Sequence, residues 1–326
     1  MRLLILGGTR FVGRHIAHAA LQAGWDLTLF NRGLHDPAAF PAAEHRVGDR
    51  DGGLGALEDG GWDVVIDTCG YVPRVVRASA ELLADRVGLY VFISSASVYA
   101  DKSVLGITEE APLVRLEDPQ TEDVATHYDG LKASCEQAVE EVMAGRGLVV
   151  RPGLIVGPHD PTNRFTYWVT RIAAGGDVLA PEPRSQPVQV IDARDVATWL
   201  LRLAARAATG TYNAVGDVTT MDAMLQSIVD ATASPARLRW VSEERLLAAG
   251  VEPWQDIPLW LAPAADPGYR GFLAMSNARA KNAGLQLRPL AETVADTLAW
   301  AQSAAAPGGG TAGLDPAVER RLLAGG

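Results

Sequence analysis

The first stretch of the chain constrains its fold more than any other. Residues 2–6, Arg-Leu-Leu-Ile-Leu, form a short apolar run that reads as a buried strand. It runs directly into Gly7-Gly8-Thr9-Arg10-Phe11-Val12-Gly13, and a helical pattern follows over residues 11–23. Glycines in a strand-to-helix turn let the backbone approach a phosphate closely. The helix N-terminus behind them offers free N–H groups and a partial positive charge. The pattern then repeats: strands at residues 26–30, 64–67, 89–94 and 148–151 alternate with helices at 72–85 and 127–143. Such alternation implies a parallel sheet covered by helices on both faces, with ligands bound outside the carboxyl ends of the strands.

The second half is less regular. Residues 165–174, 195–205, 220–231, 243–249 and 290–303 read as helices, and 188–192 as a strand. Proline is dense at Pro253, Pro258, Pro263 and Pro267, which marks a loop. The expected fold is therefore α/β: a doubly wound, Rossmann-type parallel sheet with a smaller C-terminal substrate-binding lobe. Residues 1–152 and about 186–215 would form the dinucleotide-binding domain, and about 153–185 with 216–303 the substrate lobe. Residues 304–326 read as a tail with a glycine-rich linker at 306–312, ending in a segment that either docks as a helix or frays. The formal net charge of −10 disfavours a nucleic-acid surface. No apolar run reaches the roughly 20 residues of a membrane helix, and the N-terminus lacks a signal-peptide pattern. Two cysteines, Cys69 and Cys135, without CxxC spacing argue against a disulfide framework or a metal site and for reduced thiols in the cytoplasm.

The cofactor end can be read residue by residue. Gly7, Gly8, Thr9, Arg10, Phe11, Val12 and Gly13 form the phosphate turn. The second strand ends in Phe30-Asn31-Arg32-Gly33, where an NAD-binding fold usually presents an acid to the ribose 2′-hydroxyl. An acid would repel a 2′-phosphate, whereas Arg10 and Arg32 would pair with one. NADP is the expected cofactor, with NAD the alternative. Asp49 is placed to meet the adenine, with Arg50 beside it as a further cofactor contact, and Thr68, Cys69 and Gly70 to line the pyrophosphate.

Tyr128 and Lys132 are four residues apart, on one face of the helix at 127–143. Free tyrosine titrates near ~10, and a neighbouring ammonium would lower that value and make the phenol a usable general acid or base. A serine-rich strand end, Ser94-Ser95-Ala96-Ser97, precedes this pair. With the glycine turn, the serines and YxxxK in this order, the chain resembles the extended short-chain dehydrogenase/reductase family, which includes sugar-nucleotide epimerases and dehydratases. The resemblance covers roughly residues 1–303 and includes Arg151-Pro152 and Asp195-Val196-Ala197. It implies Tyr128 as acid/base, Lys132 as its tuner and a ribose contact, Ser95 as the carbonyl-orienting hydroxyl, and Pro152 beside the nicotinamide. Gly-Gly-Thr-Arg-Phe with Asn-Arg-Gly resembles an atypical subgroup that also holds plastid RNA-binding proteins. A homodimer through the Tyr128 helix is the assembly usual in the family.

Two departures bear on the substrate. The positions where sugar-nucleotide relatives carry diphosphate-binding Asn and Arg hold Leu154 and Val188 here. Arg164, Arg171 or Arg184 would have to supply the charge from elsewhere. Phe165, Tyr167, Trp168, Trp254, Trp260 and Phe272 predict an aromatic pocket, and Tyr71, Arg74, Ser97, Tyr167 and Trp168 are the candidate substrate contacts. The expected function is an NADP-dependent oxidoreductase transferring a hydride between nicotinamide and a small carbonyl, alcohol or imine without a nucleotide-diphosphate handle. The alternatives are a sugar or cyclitol epimerase or dehydratase with a transient ketone, and a non-catalytic RNA-binding relative.

Overall fold

The computed structural model describes residues 1–303 and 312–324; most of the expected linker at 306–312 lies outside these. Strands β1 (Arg2–Leu6), β2 (Asp26–Asn31), β3 (Glu44–Val47), β4 (Trp62–Asp67), β5 (Val87–Ile93) and β6 (Gly147–Pro152) join Gly210–Ala214 in a seven-stranded sheet. From one edge to the other the order is Gly210–Ala214, β6, β5, β4, β1, β2, β3, and every pairing is parallel. The order reverses at β1, which is flanked by β2 and β4. This is the switch point, where the turns leaving neighbouring strands diverge and open a crevice. Register aligns Leu6 with Phe30 on one side and with Asp67 on the other, so the strand ends bordering the crevice are level.

Alternation along the strands builds two cores. Leu3, Ile5, Val64, Ile66, Leu89 and Val91 face helices α1 (Phe11–Gln22) and α5 (Ala193–Ala205). Leu4, Leu6, Val65, Tyr90 and Phe92 face α2 (Pro73–Leu83) and α3 (Val124–Met143). Nearly every one of these side chains is buried, as a sheet covered on both faces requires. Helix α3 is broken at His127 (φ −118°, ψ 26°), so its regular run begins at Tyr128. This matches the helix start expected at residue 127.

A further apolar cluster gathers Phe165, Trp168, Met224, Trp260 and Val294 around α4 (Arg164–Ala173), Met221–Thr232 and Leu290–Ala301. The end of the chain docks on it as a helix, Pro316–Ala324. Buried Glu319 accepts from Arg171 Nε at 2.8 Å and from the Leu179 backbone N–H at 3.0 Å, and Leu314 and Leu322 enter the cluster. Among the described residues no helix is long and apolar enough to cross a membrane, and no group of His, Cys, Asp or Glu could hold a metal ion.

Candidate active site

The turn after β1 is built so that only glycine fits. Gly7 and Gly8 take φ of +105° and +92°. A Cβ on Gly7 would lie 2.4 Å from Thr68 Oγ1, one on Gly8 2.6 Å from Leu29, and one on Gly13 2.9 Å from the Gly8 backbone nitrogen. Thr68 is held there by donating to the Leu6 carbonyl at 2.8 Å. Helix α1 starts directly behind the turn, and no side chain caps it. Its first N–H groups therefore point free into the crevice, as an anion site requires.

A cavity of about 620 Å³ opens over this turn. Residues 7–13 form its floor; Asn31, Arg32, Asp49 and Arg50 line one end, and Thr68, Cys69 and Tyr71 the other. Pockets for drug-sized ligands span about 300–1,000 Å³, so the space, the glycine cradle and the free helix N-terminus together fit a dinucleotide. Asn31 donates to the Gly7 carbonyl at 3.1 Å and accepts from the Gly33 N–H at 2.9 Å, so its side chain braces the turn. Asp49 turns one carboxylate oxygen to the Asp51 N–H at 3.0 Å. Arg10 and Arg32 are exposed at the cavity wall and have no ion-pair partner among the described residues.

The expected chemical residues meet beyond Tyr71, whose ring lies 6.4 Å from that of Tyr128. Ser95, leaving β5, hydrogen-bonds Ser97 Oγ at 2.8 Å, and its hydroxyl also meets the Tyr128 phenol. Lys132 is fully buried beneath them, donating to the Gly70 and Ile93 carbonyls at 2.7 Å each and lying 4.2 Å from the Phe92 ring centroid. Burial pushes its ammonium down to about 8. The same burial pushes the Tyr128 phenol above the ordinary tyrosine range, opposed in part by its hydrogen bond with Ser95. The expected lowering of Tyr128 by Lys132 is therefore reversed: the lysine is committed to two carbonyls, and desolvation of the phenol dominates. Pro152 ends β6, buried and paired in register with Ala214.

The residues that hold this geometry were not anticipated. Glu136, one helical turn after Lys132, accepts from Arg151 Nη2 at 2.6 Å and Nε at 3.0 Å, and from the Ser94 hydroxyl. Arg151 also donates to Tyr99 Oη at 3.2 Å and the Glu109 carbonyl at 3.1 Å. Ser94, Tyr99, Glu136 and Arg151 are all buried. The network ties α3 to the ends of β5 and β6. Its one sequence signal was a third polar residue at four-residue spacing, Tyr128, Lys132, Glu136.

Four candidates are turned to other work. Arg50 still lines the cavity, but its guanidinium is paired with fully buried Asp67, with contacts of 2.6 and 2.8 Å, and also donates to Ser79 Oγ at 2.8 Å. A buried carboxylate needs this partner more than a solvated cofactor does. Arg74 points outward to Asp51 and Glu122, at 2.7 and 2.8 Å. Tyr167 and Trp168 pack in the apolar cluster under α4, and the Trp168 indole donates to the Pro258 carbonyl at 2.8 Å. Phe165 and Trp260 are core as well, and Val188 is fully buried.

Comparison with known proteins agrees with this architecture. A chloroplast stem-loop binding protein of 41 kDa from Arabidopsis thaliana is 28% identical over 221 residues, which is 62% of this chain and 54% of that protein. The match thus spans about half the relative's length. The UDP-N-acetylglucosamine 4-epimerase of Bacillus cereus superposes with a TM-score of 0.67 at 15% identity, over 92% of this chain and 99% of the other. The dTDP-glucose 4,6-dehydratase of Bacillus anthracis, solved with NAD, superposes with 0.67 at 14% identity over 99% of each chain. These two share the fold. The model of the NAD dependent epimerase/dehydratase family matches residues 3–215, from the first strand through the last strand of the sheet, and the chain belongs to that family.

Proposed function

We propose that the protein carries out nicotinamide-dependent hydride transfer at an alcohol or carbonyl carbon of a small molecule, with Tyr128 moving the proton. The observation that carries this is the placement of Tyr128 and buried Lys132 next to Tyr71, which lines the dinucleotide-sized cavity, with Ser95 beside the phenol. The bound nicotinamide would accept or supply the hydride. Ser95 would orient the substrate oxygen, Tyr128 would exchange its proton, and Lys132 would hold positive charge below the phenol. The raised value of Tyr128 keeps it protonated at rest, which suits donation to a carbonyl oxygen. Membership of an epimerase/dehydratase family favours a second mode, in which the same pair oxidises a sugar or cyclitol hydroxyl transiently and the cofactor is regenerated. Incubation with candidate substrates separates the two: net conversion of cofactor in proportion to product means reduction or oxidation, and product without net conversion means epimerisation or dehydration. Absence of any nicotinamide binding would overturn both.

We infer a preference for NADP from Arg10 and Arg32, which stand at the cavity wall without an ion pair among the described residues, where Asn31-Arg32-Gly33 rather than an acid ends β2. A charge-assisted hydrogen bond is worth roughly 1.5–3 kcal/mol. Arg32→Ala should therefore weaken NADPH by about ten- to a hundredfold and leave NADH unchanged. Fluorescence titration of both cofactors checks this, and tighter binding of NADH by the wild type would overturn it. Gly13→Ala should weaken both cofactors equally, by about tenfold or more. Its methyl group would press on the Gly8 backbone, which has no room to move away. The same titration with a circular dichroism control reads it.

A further inference from the structure

A continuous set of contacts runs from Arg164, near the dinucleotide cavity in sequence, to Asp129, the neighbour of Tyr128. Pro161 lines the cavity, and Arg164 begins α4 just after it. The Arg164 guanidinium lies over the Trp254 ring at 5.2 Å, Trp254 packs on Phe272 at 5.8 Å, and Phe272 packs on Tyr269 at 6.1 Å. Lys102 Nζ lies 5.6 Å from the Tyr269 ring and donates to Asp129, the neighbour of Tyr128, at 2.8 Å. One end of the set thus starts three residues after a cavity-lining residue, and the other stops at the residue next to Tyr128. It carries two cations. Lys102 has its acid in Asp129. Arg164 has no ion pair among the described residues, and its buried Nε has no hydrogen-bond partner. The carboxylate nearest in sequence, Asp160, is spent on the Thr162 N–H and hydroxyl at 2.8 and 3.1 Å. Arg171 pairs with Glu319, Arg194 with Asp192 and Arg288 with Asp195, while Arg184, exposed over the Trp240 ring at 4.7 Å, and Arg245, which donates to the Leu322 carbonyl, also lack an ion pair among the described residues but have no orphaned buried nitrogen.

Arg164 is also held in place from behind. Asn163 donates to the Ala312 carbonyl at 2.8 Å, and the Gly313 N–H donates to the Gln255 carbonyl at 2.9 Å. Residues 312–313 thus tie the start of α4 to the turn bearing Trp254. A half-buried guanidinium whose nearest carboxylate, Asp160, acts on it only through space keeps hydrogen-bonding capacity for a ligand's anion.

Resting on the hydride-transfer reading above, we propose that Arg164 is the substrate's anion anchor, and that the substrate carries a single phosphate or carboxylate on a ring that packs against the Trp254–Phe272–Tyr269 wall. One guanidinium matches one such group. Leu154 and Val188 leave a nucleotide diphosphate without further partners. The test is calorimetric titration of NADPH-saturated protein, whose glycine turn is covered, with glucose 1-phosphate, inorganic phosphate and UDP-glucose. Glucose 1-phosphate should bind the wild type and Tyr128→Phe alike, and should bind Arg164→Gln about tenfold or more weakly, with Arg164→Lys between them. Inorganic phosphate should show the same dependence on Arg164 at lower affinity. Equal binding by wild type and Arg164→Gln, or no binding by the wild type, would overturn the anchor. UDP-glucose binding more tightly than glucose 1-phosphate would overturn the single-anion assignment. NADPH titration of the same samples is read separately. Its failure removes the dinucleotide reading, while the dependence of phosphate binding on Arg164 still decides the anchor.

Discussion

Tyr128→Phe should lower turnover by about 100- to 10,000-fold, the usual worth of a positioned general acid or base. The ring is retained, so its packing beside Tyr71 survives. Ser95 loses the phenol but keeps Ser97 at 2.8 Å, so no polar group is stranded and stability should hold. Cofactor affinity should also hold, because the cavity over the glycine turn is untouched. Steady-state kinetics with a parallel NADPH titration checks both halves, and wild-type turnover in this variant would remove Tyr128 from the chemistry. Lys132→Met should differ in kind. It takes the donor from the Gly70 and Ile93 carbonyls, each bonded at 2.7 Å in a buried site. Stranding a buried acceptor costs about 1–3 kcal/mol. Turnover, cofactor affinity and stability should therefore fall together.

The largest stability loss is expected from Glu136→Gln. Among the described residues its carboxylate is the sole acid paired with Arg151, and the side chains are only 7% and 6% exposed. Removing one partner of a buried pair leaves the other charge uncompensated, at about 3–5 kcal/mol. Tyr99 Oη and the Glu109 carbonyl, at 3.2 and 3.1 Å, remain to Arg151 but carry no full charge to balance it. Thermal and denaturant unfolding should show the loss. The exposed Arg77–Glu141 pair is the control: Glu141→Gln should leave the unfolding midpoint close to that of the wild type. A Glu136→Gln midpoint equal to the control's would mean the pair bears no weight. The double variant Glu136→Leu with Arg151→Met should recover much of the loss, because no charge is then left buried.

The alternating sheet, the glycine turn and the spacing of Tyr128 and Lys132 were legible because each depends on local pattern. A run such as residues 2–6 or 64–67 is buried on both faces and reads as a strand wherever it lies. Gly7 and Gly8 mark a turn by the φ that only glycine adopts readily. The start of the regular part of α3 was read near residue 127 for the same reason. The pairing of charges was not legible. Arg50 was assigned to cofactor because it follows a strand end, yet Asp67, 17 positions away, claims it. Arg74 was assigned to substrate and instead bridges Asp51 and Glu122 on the surface.

Aromatic residues show the same division. Composition alone placed Phe165, Tyr167, Trp168, Trp254, Trp260 and Phe272 in one pocket. The helical phase of α4 buries Phe165, Tyr167 and Trp168 in the apolar cluster, while Trp254 and Phe272 stay half-buried, Trp254 beneath Arg164 and Phe272 against Trp254. By itself the sequence determined the layered sheet, the position of its crevice and the residue types that reach it, since these follow from periodicity and from backbone conformations set within a few residues. Only the tertiary structure decided which charges are spent inside the protein and which are left for a ligand. A buried charge takes the nearest opposite charge in space, and for Arg151, Arg171 and Arg50 that partner lies 15, 148 and 17 positions away along the chain.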